Sequence, residues 1–166
     1  MLLIAIGSNL PGANGESPRE TCRAALEILR RTDGMAFVKI SPWYRTRPIP
    51  RDDSQPDFCN GVARFEGRPD PAWLMATLHR IEASFGRVRS VANAARTLDL
   101  DVIDMNGMIR AEPSPTLPHP RAHLRAFVLQ PLLDVAPEWV HPSLRRSCAQ
   151  LLAALPNHDA DFLVPW

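Results

Sequence analysis

The segment from Thr97 to Met105 alternates apolar and acidic residues, and this alternation restricts its conformation more than any other feature restricts the rest of the chain. Apolar side chains occupy every second position from Leu98 to Val102, and Asp99 and Asp101 stand between them. Because successive side chains of a β-strand point to opposite faces, the pattern predicts a strand with one buried face and one acidic face. The two carboxylates would then project side by side, about 6–7 Å apart along the backbone.

Paired carboxylates at this spacing are suited to binding a hard divalent cation such as Mg²⁺ through oxygen. Arg96 stands just before the strand's acidic pair, and Arg87 and Arg89 lie a few residues earlier. Their guanidinium groups supply the positive charge that a phosphate substrate would need. An Asp-x-Asp pair also occurs on solvated edge strands, so the residues leave both a metal site and a solvated strand open.

Length and charge restrict the class of protein. The chain has 166 residues, which suits a single domain over residues 1–166. Its formal net charge is +1, so no overall field favours binding to nucleic acid or to an anionic membrane. No apolar run approaches the roughly 20 residues that span a bilayer, and residues 1–6 lack the basic start of a signal peptide. We therefore expect a cytoplasmic protein without nucleic acid or membrane partners.

Lysine and cysteine usage exclude two kinds of site. Lys39 is the only lysine among 19 basic residues, and no GxxxxGK[ST] motif occurs, so a lysine-dependent phosphate loop is not expected. Cys22, Cys59 and Cys148 are far apart and odd in number, which gives neither zinc spacing nor a disulfide framework. We expect them to be buried or half-buried free thiols.

The hydrophobic periodicity predicts the order strand, helix, strand, strand, helix, strand, followed by further helices. The predicted strands are 2–6, 35–44, 57–65 and 97–105, and the predicted helices are 19–31, 71–85, 122–135 and 143–155. A proline-rich loop over 46–56 separates the second and third strands, and loops of this length are often functional. This order is that of an α+β, ferredoxin-like βαββαβ core with a mixed or antiparallel sheet and additional C-terminal helices.

Four separated segments, taken in this order, resemble the 6-hydroxymethyl-7,8-dihydropterin pyrophosphokinase family of folate biosynthesis. They extend over roughly residues 2–142, and four blocks in one order are far more specific than any single block. The segments are IAIGSN at 4–9, an S-x-x-Y-x-T block with QPDFCN within 41–60, RIEASFGRVR running on to ARTLDLD at 80–101, and LPHPRAHLRAFVLQPL at 117–132.

The resemblance implies a ferredoxin-like domain, usually a monomer, that uses ATP as co-substrate. The implied reaction transfers a pyrophosphoryl group to the hydroxymethyl group of 6-hydroxymethyl-7,8-dihydropterin and releases AMP. Two Mg²⁺ ions are implied between the ATP phosphates and the paired aspartates, which correspond here to Asp99 and Asp101. Attack on a polyanion by an alcohol requires charge neutralisation and in-line geometry, which is what metal and arginines would supply.

The resemblance also assigns roles to individual side chains, with Phe58 and Phe127 stacking on the pterin and Asn60 binding its polar edge. The implied catalytic residues are Arg87, Arg96, Asp99 and Asp101, and the last two are the implied metal ligands. The implied pterin-binding residues are Thr46, Phe58, Asn60 and Phe127. The implied ATP-binding residues are His79, Glu82, Arg89, Thr116, His119 and Arg125.

The residues by themselves permit simpler interpretations of some of these positions. His119 lies between two prolines, where a surface histidine is common, and Arg121 and Arg125 have the spacing of a solvated helix face. Any single phenylalanine is more often a core residue than a ligand. Arg121 is left out of the expected site, because the family motif does not make it a consistent ligand.

The chain departs from the family pattern in the segment from Val91 to Ala95, where many relatives have a tryptophan and a Gly-Pro pair. Arg47, Pro50 and Pro120 also replace residues that are commoner in relatives. None of these positions includes the aspartates. The departures therefore affect expectations for lid closure and affinity rather than for the type of reaction.

Two other functions remain open from the sequence. A different Mg²⁺-dependent phosphotransferase or phosphohydrolase could use the same Asp-x-Asp pair, and its products would be ADP or free phosphate instead of AMP. A ferredoxin-like sheet could also bind RNA, but it would need exposed aromatic residues on its central strands and a basic surface. The net charge of +1 and the apolar first strand argue against RNA binding.

Overall fold

The computed structural model describes residues 1–48, 52–87, 95–156 and 164–166. The strands are β1 (Leu2–Ser8), β2 (Ala36–Ile40), β3 (Tyr44–Thr46), β4 (Phe58–Glu66), β5 (Asp99–Met105) and β6 (Val164–Pro165). The α-helices are α1 (Pro18–Arg30), α2 (Pro71–Ser84), α3 (Ala126–Val135) and α4 (Cys148–Ala153), and a short 3₁₀ helix spans Ala122–Leu124.

The strands form one sheet in the order β5-β1-β4-β3-β6, and β2 pairs with β4 on the same edge as β3. Every pairing between these strands is antiparallel. The prediction of an α+β protein is therefore confirmed, with an antiparallel sheet rather than a mixed one.

The predicted strand over 35–44 is wrong in one respect, because β2 and β3 are separated by Ser41–Trp43. Pro42 has no N–H to donate to a strand ladder. Ser41 bonds the neighbouring strand instead: its N–H donates to the Val62 carbonyl at 3.0 Å, and its hydroxyl accepts from the Val62 N–H at 3.1 Å. The chain thus keeps its pairing partner across the break and resumes as β3.

Both predicted C-terminal helices are shorter than expected. Arg125 has an extended backbone, with φ −132° and ψ 111°, which separates the 3₁₀ helix from α3. The second helix starts at Cys148 rather than near residue 143, because Arg145 has a φ of 56° that a right-handed helix cannot contain. Ser147 and Gln150 then form a capping box that fixes the start of α4.

The two faces of the sheet bury two separate hydrophobic clusters. Alternate residues of β1 divide between them: Leu2 and Ile4 join one cluster, and Leu3 joins the other. Helices α1 and α2 cover the first cluster, and α3 and α4 cover the second. The predicted buried face of β5 is confirmed, because the apolar residues from Leu98 to Val102 lie in the first cluster.

Cys22, Cys59 and Cys148 are buried free thiols, as the composition predicted. Among the described residues, no helix combines the length and the apolar character that a membrane crossing requires.

Candidate active site

An open pocket of about 310 Å³ lies at the end of the sheet where β1 finishes and where β4 and β5 begin. The three strands present every second residue to it, for example Gly7, Asn60 and Asp99. Helix α3 covers the same face of the sheet and adds Phe127, while α2 reaches the pocket from the other face through His79. The antiparallel order therefore brings together residues that are more than 50 positions apart in the chain.

Asp99, the first residue of β5, forms ion pairs with two arginines. Its Oδ1 lies 2.6 Å from Nη1 of Arg87, and its Oδ2 lies 2.5 Å from Nη1 of Arg96. The backbone of Arg96 is fixed to the residue that follows β1. Its backbone N–H donates to the Asn9 side chain at 2.7 Å, and its carbonyl accepts from the backbone N–H of Asn9 at 3.0 Å. Two guanidinium groups are therefore held at the mouth of the pocket.

Glu82 is a buried carboxylate that connects α2 to β5. Its Oε1 accepts a hydrogen bond of 2.9 Å from the Leu100 N–H and also contacts Nη1 of Arg87. Only 2% of this residue is exposed. Because the same Arg87 nitrogen contacts Asp99, the two carboxylates share one guanidinium and fix its position beside the strand.

Asp101 and His119 form the second polar contact of the pocket. Nε2 of His119 lies 3.7 Å from Oδ2 of Asp101, and Nδ1 of His119 accepts a hydrogen bond of 3.2 Å from the Arg121 N–H. Burial and the adjacent charge of Asp99 raise the pKa of Asp101. Burial also lowers the pKa of His119. Since Nδ1 accepts, a neutral His119 carries its proton on Nε2, facing Asp101.

The opposite wall of the pocket is neutral. Nδ2 of Asn60 donates to the Thr46 hydroxyl at 2.7 Å. Thr46 of β3 is opposite Phe58 of β4 in the strand register. Gly7 is opposite Asn60 in the register, and a Cβ atom at Gly7 would lie 2.7 Å from Oδ1 of Asn60. Phe127 faces these residues from α3. The absence of a side chain at Gly7 therefore leaves room for the Asn60 amide.

The pocket wall contains most of the side chains expected from the sequence. They are Thr46, Phe58, Asn60, His79, Glu82, Arg87, Arg96, Asp99, Asp101, His119, Arg125 and Phe127. Thr116 is not part of the wall, since its hydroxyl donates to the Ala111 carbonyl at 2.9 Å within an exposed loop. Arg89 and residues 91–94, where the sequence departs from the family, lie outside the described residues.

The wall also contains residues that the sequence reasoning missed. Met75 lies one helical turn before His79, so the helical spacing could have identified it. Ser114 belongs to an irregular segment and has no such pattern. Arg121, which was left out because of the family motif, lines the pocket beside Arg125.

This pocket joins carboxylates and arginines on one wall to aromatic and amide groups on the other. Among α+β domains, a pocket of this kind offers groups suited to a phosphorylated ligand and to a planar one. The model of the family described as 7,8-dihydro-6-hydroxymethylpterin-pyrophosphokinase matches residues 3–137. The chain belongs to this family.

Several curated proteins are similar to the chain along most of its length. A 2-amino-4-hydroxy-6-hydroxymethyldihydropteridine pyrophosphokinase of Pseudomonas aeruginosa is 39% identical over 153 residues, covering 92% of this chain and 90% of that protein. A protein of the same name from Haemophilus influenzae is 35% identical over 158 residues, covering 95% of this chain and 92% of that protein.

A longer relative contains the family sequence as one part. The "Folic acid synthesis protein fol1" of Schizosaccharomyces pombe is 33% identical over 146 residues, covering 88% of this chain. The chain spans only 20% of the length of that protein. The two bacterial relatives are instead matched over nearly their whole length.

Proposed function

We propose that the protein transfers the pyrophosphoryl group of ATP to the hydroxymethyl group of 6-hydroxymethyl-7,8-dihydropterin and releases AMP, as a step of tetrahydrofolate synthesis. Membership of the family and the names of the bacterial relatives support this reaction. The observation that carries the proposal is the junction of a neutral wall and a charged wall in one pocket. The alcohol of one substrate and the phosphates of the other would meet at this junction.

The neutral wall is suited to the pterin. Phe58 and Phe127 offer aromatic faces to a flat heterocycle, and such stacking contributes about 0.5–1.5 kcal/mol beyond the buried area. Asn60 donates one N–H to Thr46, and we propose that its other N–H and its carbonyl oxygen bind the polar edge of the ring. We therefore assign pterin recognition to these four side chains.

The charged wall is suited to the triphosphate of ATP. Arg87, Arg96 and Arg125 would bind phosphate oxygens, and His119 would donate from Nε2 on the same side. In-line attack of the hydroxymethyl oxygen on the β-phosphorus forms one P–O bond and breaks the bond to the bridging oxygen that leaves with AMP. The arginines orient this chain of phosphates, and no covalent enzyme intermediate is needed.

The residues of this wall fit a divalent metal. Asp99 and Asp101 stand two residues apart on β5 and therefore project from the same strand face, where paired carboxylates suit a hard divalent cation. Among the described residues, no three His, Cys, Asp or Glu side chains form a complete cluster, so phosphate and water would supply the other ligands. We propose that these aspartates hold two Mg²⁺ ions, which neutralise phosphate charge and acidify the attacking hydroxyl when bound.

Further proposals concern the fold, the domain, the oligomeric state, the location and the partners of the protein. The strand order β5-β1-β4 with β2 and β3 on the outer edge is compatible with a ferredoxin-like core whose second strand is interrupted. We propose that residues 1–166 form one pyrophosphokinase domain of this type, acting as a monomer in the cytoplasm. Its small-molecule partners are ATP and the pterin.

Product analysis tests the reaction directly. The protein is incubated with ATP, Mg²⁺ and 6-hydroxymethyl-7,8-dihydropterin, and the nucleotides are separated. We expect AMP and the pterin diphosphate in equal amounts. ADP or free phosphate would instead indicate the alternative phosphotransferase or phosphohydrolase, and would overturn the proposed function.

A further inference from the structure

The charges around the pocket do not balance. Among the described residues, its wall contains three carboxylates, those of Glu82, Asp99 and Asp101, and five arginines. Arg87 and Arg96 form the ion pairs with Glu82 and Asp99. The excess of positive charge therefore lies elsewhere on the wall.

Arg121 and Arg125 carry part of this excess at the lip of the pocket. Within the described residues, neither guanidinium forms an ion pair with an Asp or Glu side chain. The Arg125 guanidinium lies 5.4 Å from the centroid of the Phe127 ring, which directs it into the pocket. Burial, followed by the nearby charge of Arg121, lowers the pKa of Arg125. Both guanidinium groups thus line one pocket, where the carboxylates of Asp101 and Asp99 act on Arg125 without forming an ion pair with it within the described residues.

The backbone of Arg121 is fixed on both sides. Its N–H donates to Nδ1 of His119 at 3.2 Å, and its carbonyl accepts from the Leu124 N–H at 3.1 Å at the start of the 3₁₀ helix. The backbone of His119 is in turn bound to the sheet, because its backbone N–H donates to the Ile103 carbonyl at 2.9 Å. Arg121 is therefore positioned relative to β5, unlike an arginine on an unrestrained surface loop.

We propose that Arg121 is a further ligand-binding residue of the pocket, which together with Arg125 binds the polyphosphate chain of a nucleotide. An anion placed between the two guanidinium groups would relieve their repulsion and accept charge-assisted hydrogen bonds from both. The identification of the anion as the ATP triphosphate rests on the proposed function, whereas the anion site itself does not. The residue lies outside the set that the family motif implies.

Calorimetric titration with inorganic tripolyphosphate tests the site without any catalytic step. We expect Arg121→Gln to weaken tripolyphosphate binding about tenfold. This factor lies in the lower range for the loss of a charged hydrogen bond, because the Arg121 side chain is exposed. Arg121→Lys should recover part of the affinity, since the charge is kept while the bidentate geometry is lost. Raising the salt concentration should weaken binding less in Arg121→Gln than in the unsubstituted protein.

The matched control is Arg19→Gln, which removes an exposed arginine of α1 on the opposite face of the sheet. It should leave the tripolyphosphate affinity unchanged, and adenosine affinity should not respond to Arg121→Gln. Equal affinities for Arg121→Gln and the unsubstituted protein would overturn the proposal, as would an equal loss for adenosine or no tripolyphosphate binding at all. Arg121-dependent binding in a protein that forms no AMP would retain the anion site and reject the proposed function.

Discussion

The two walls of the pocket are held together by different interactions. The neutral wall, formed by Thr46, Phe58, Asn60 and Phe127, depends on strand register and on one hydrogen bond between uncharged groups. The charged wall is formed by Arg87, Arg96, Arg125, Asp99, Asp101 and His119, and several of these side chains already form ion pairs with one another.

The difference matters for ligand binding. A planar ligand can bind at the neutral wall without breaking a contact there, since the backbone sets the shape of this wall. A metal or phosphate that binds Asp99 or its arginines must instead exchange existing ion pairs for new ones. We therefore expect substitutions in the charged wall to affect turnover most, and substitutions in the neutral wall to affect affinity for one substrate.

Asp101→Asn should have the largest effect. Removing this carboxylate takes away half of the proposed metal site, so we expect turnover to fall by at least about 10²–10³-fold. The melting temperature should not fall, because the variant also removes repulsion between Asp101 and Asp99. Steady-state kinetics and thermal unfolding measure the two quantities.

Asp99→Asn serves as the comparison within the same wall. It should also lower turnover, but it breaks the ion pairs of Asp99 with Arg87 and Arg96 and should therefore lower the melting temperature. Normal turnover in either variant would contradict the assignment of the charged wall.

Phe58→Ala should have an intermediate effect that is confined to the neutral wall. Loss of one stacking face should weaken pterin binding by roughly tenfold, while ATP binding should change by less than about twofold. Calorimetry with each substrate separately measures this difference.

Phe37→Ala is the matched control, because Phe37 packs edge-on against Phe65 at 5.7 Å and is not part of the pocket wall. It should lower stability without changing either affinity. Equal weakening of pterin and ATP binding by Phe58→Ala would show that Phe58 is only a core residue.

Trp166→Ala should have a smaller effect on the neutral wall. The backbone N–H of Trp166 donates to the Trp43 carbonyl at 2.8 Å, and the Trp166 ring lies 4.8 Å from the Arg45 guanidinium. Trp166 therefore supports β3, the strand that carries Thr46. We expect a loss of about 1–2 kcal/mol in the free energy of unfolding, from buried area and the cation–π contact. Urea unfolding measures this loss, and pterin titration measures the effect on affinity.

Pterin affinity should fall less in Trp166→Ala than in Phe58→Ala, and ATP affinity should remain the same. A larger loss of ATP affinity than of pterin affinity would argue that β6 supports the charged wall instead.

His141 gives the smallest prediction, and it concerns neither wall. This buried imidazole accepts hydrogen bonds from the Ser143 and Leu144 N–H groups at 3.3 and 3.2 Å. Burial, and then the charge of His123, lower its pKa. Because the folded pKa is below the unfolded value of about 6.5, its contribution is complete above that pH and is lost as the pH falls.

We expect the free energy of unfolding to decrease from pH 7 to pH 5, with at most about 1.4 kcal/mol per pH unit from this one group. His141→Gln should reduce this slope while leaving the tripolyphosphate affinity at pH 8 unchanged. An identical slope in the variant would assign the pH dependence to other groups.

The β5 strand and the two long helices could be predicted because their patterns are local. The alternation around Asp99 places two carboxylates on one strand face whatever the rest of the chain does. The break at Pro42 was missed because apolar residues continue on both sides of it, and the extended backbone of Arg125 was missed for a similar reason. In both places a single residue overrides the average preference of its neighbours.

The sequence by itself determined the acidic strand, the order of the main elements and the family of the protein, since all three depend on residue types at fixed spacings. Only the tertiary structure decided that Arg87 bridges Glu82 and Asp99, that Thr116 lies outside the pocket wall, and that Arg121 lines it. The physical reason is that ion pairs and pocket walls join side chains from different elements. Their distances follow from how the sheet and helices pack and are not encoded in any short segment.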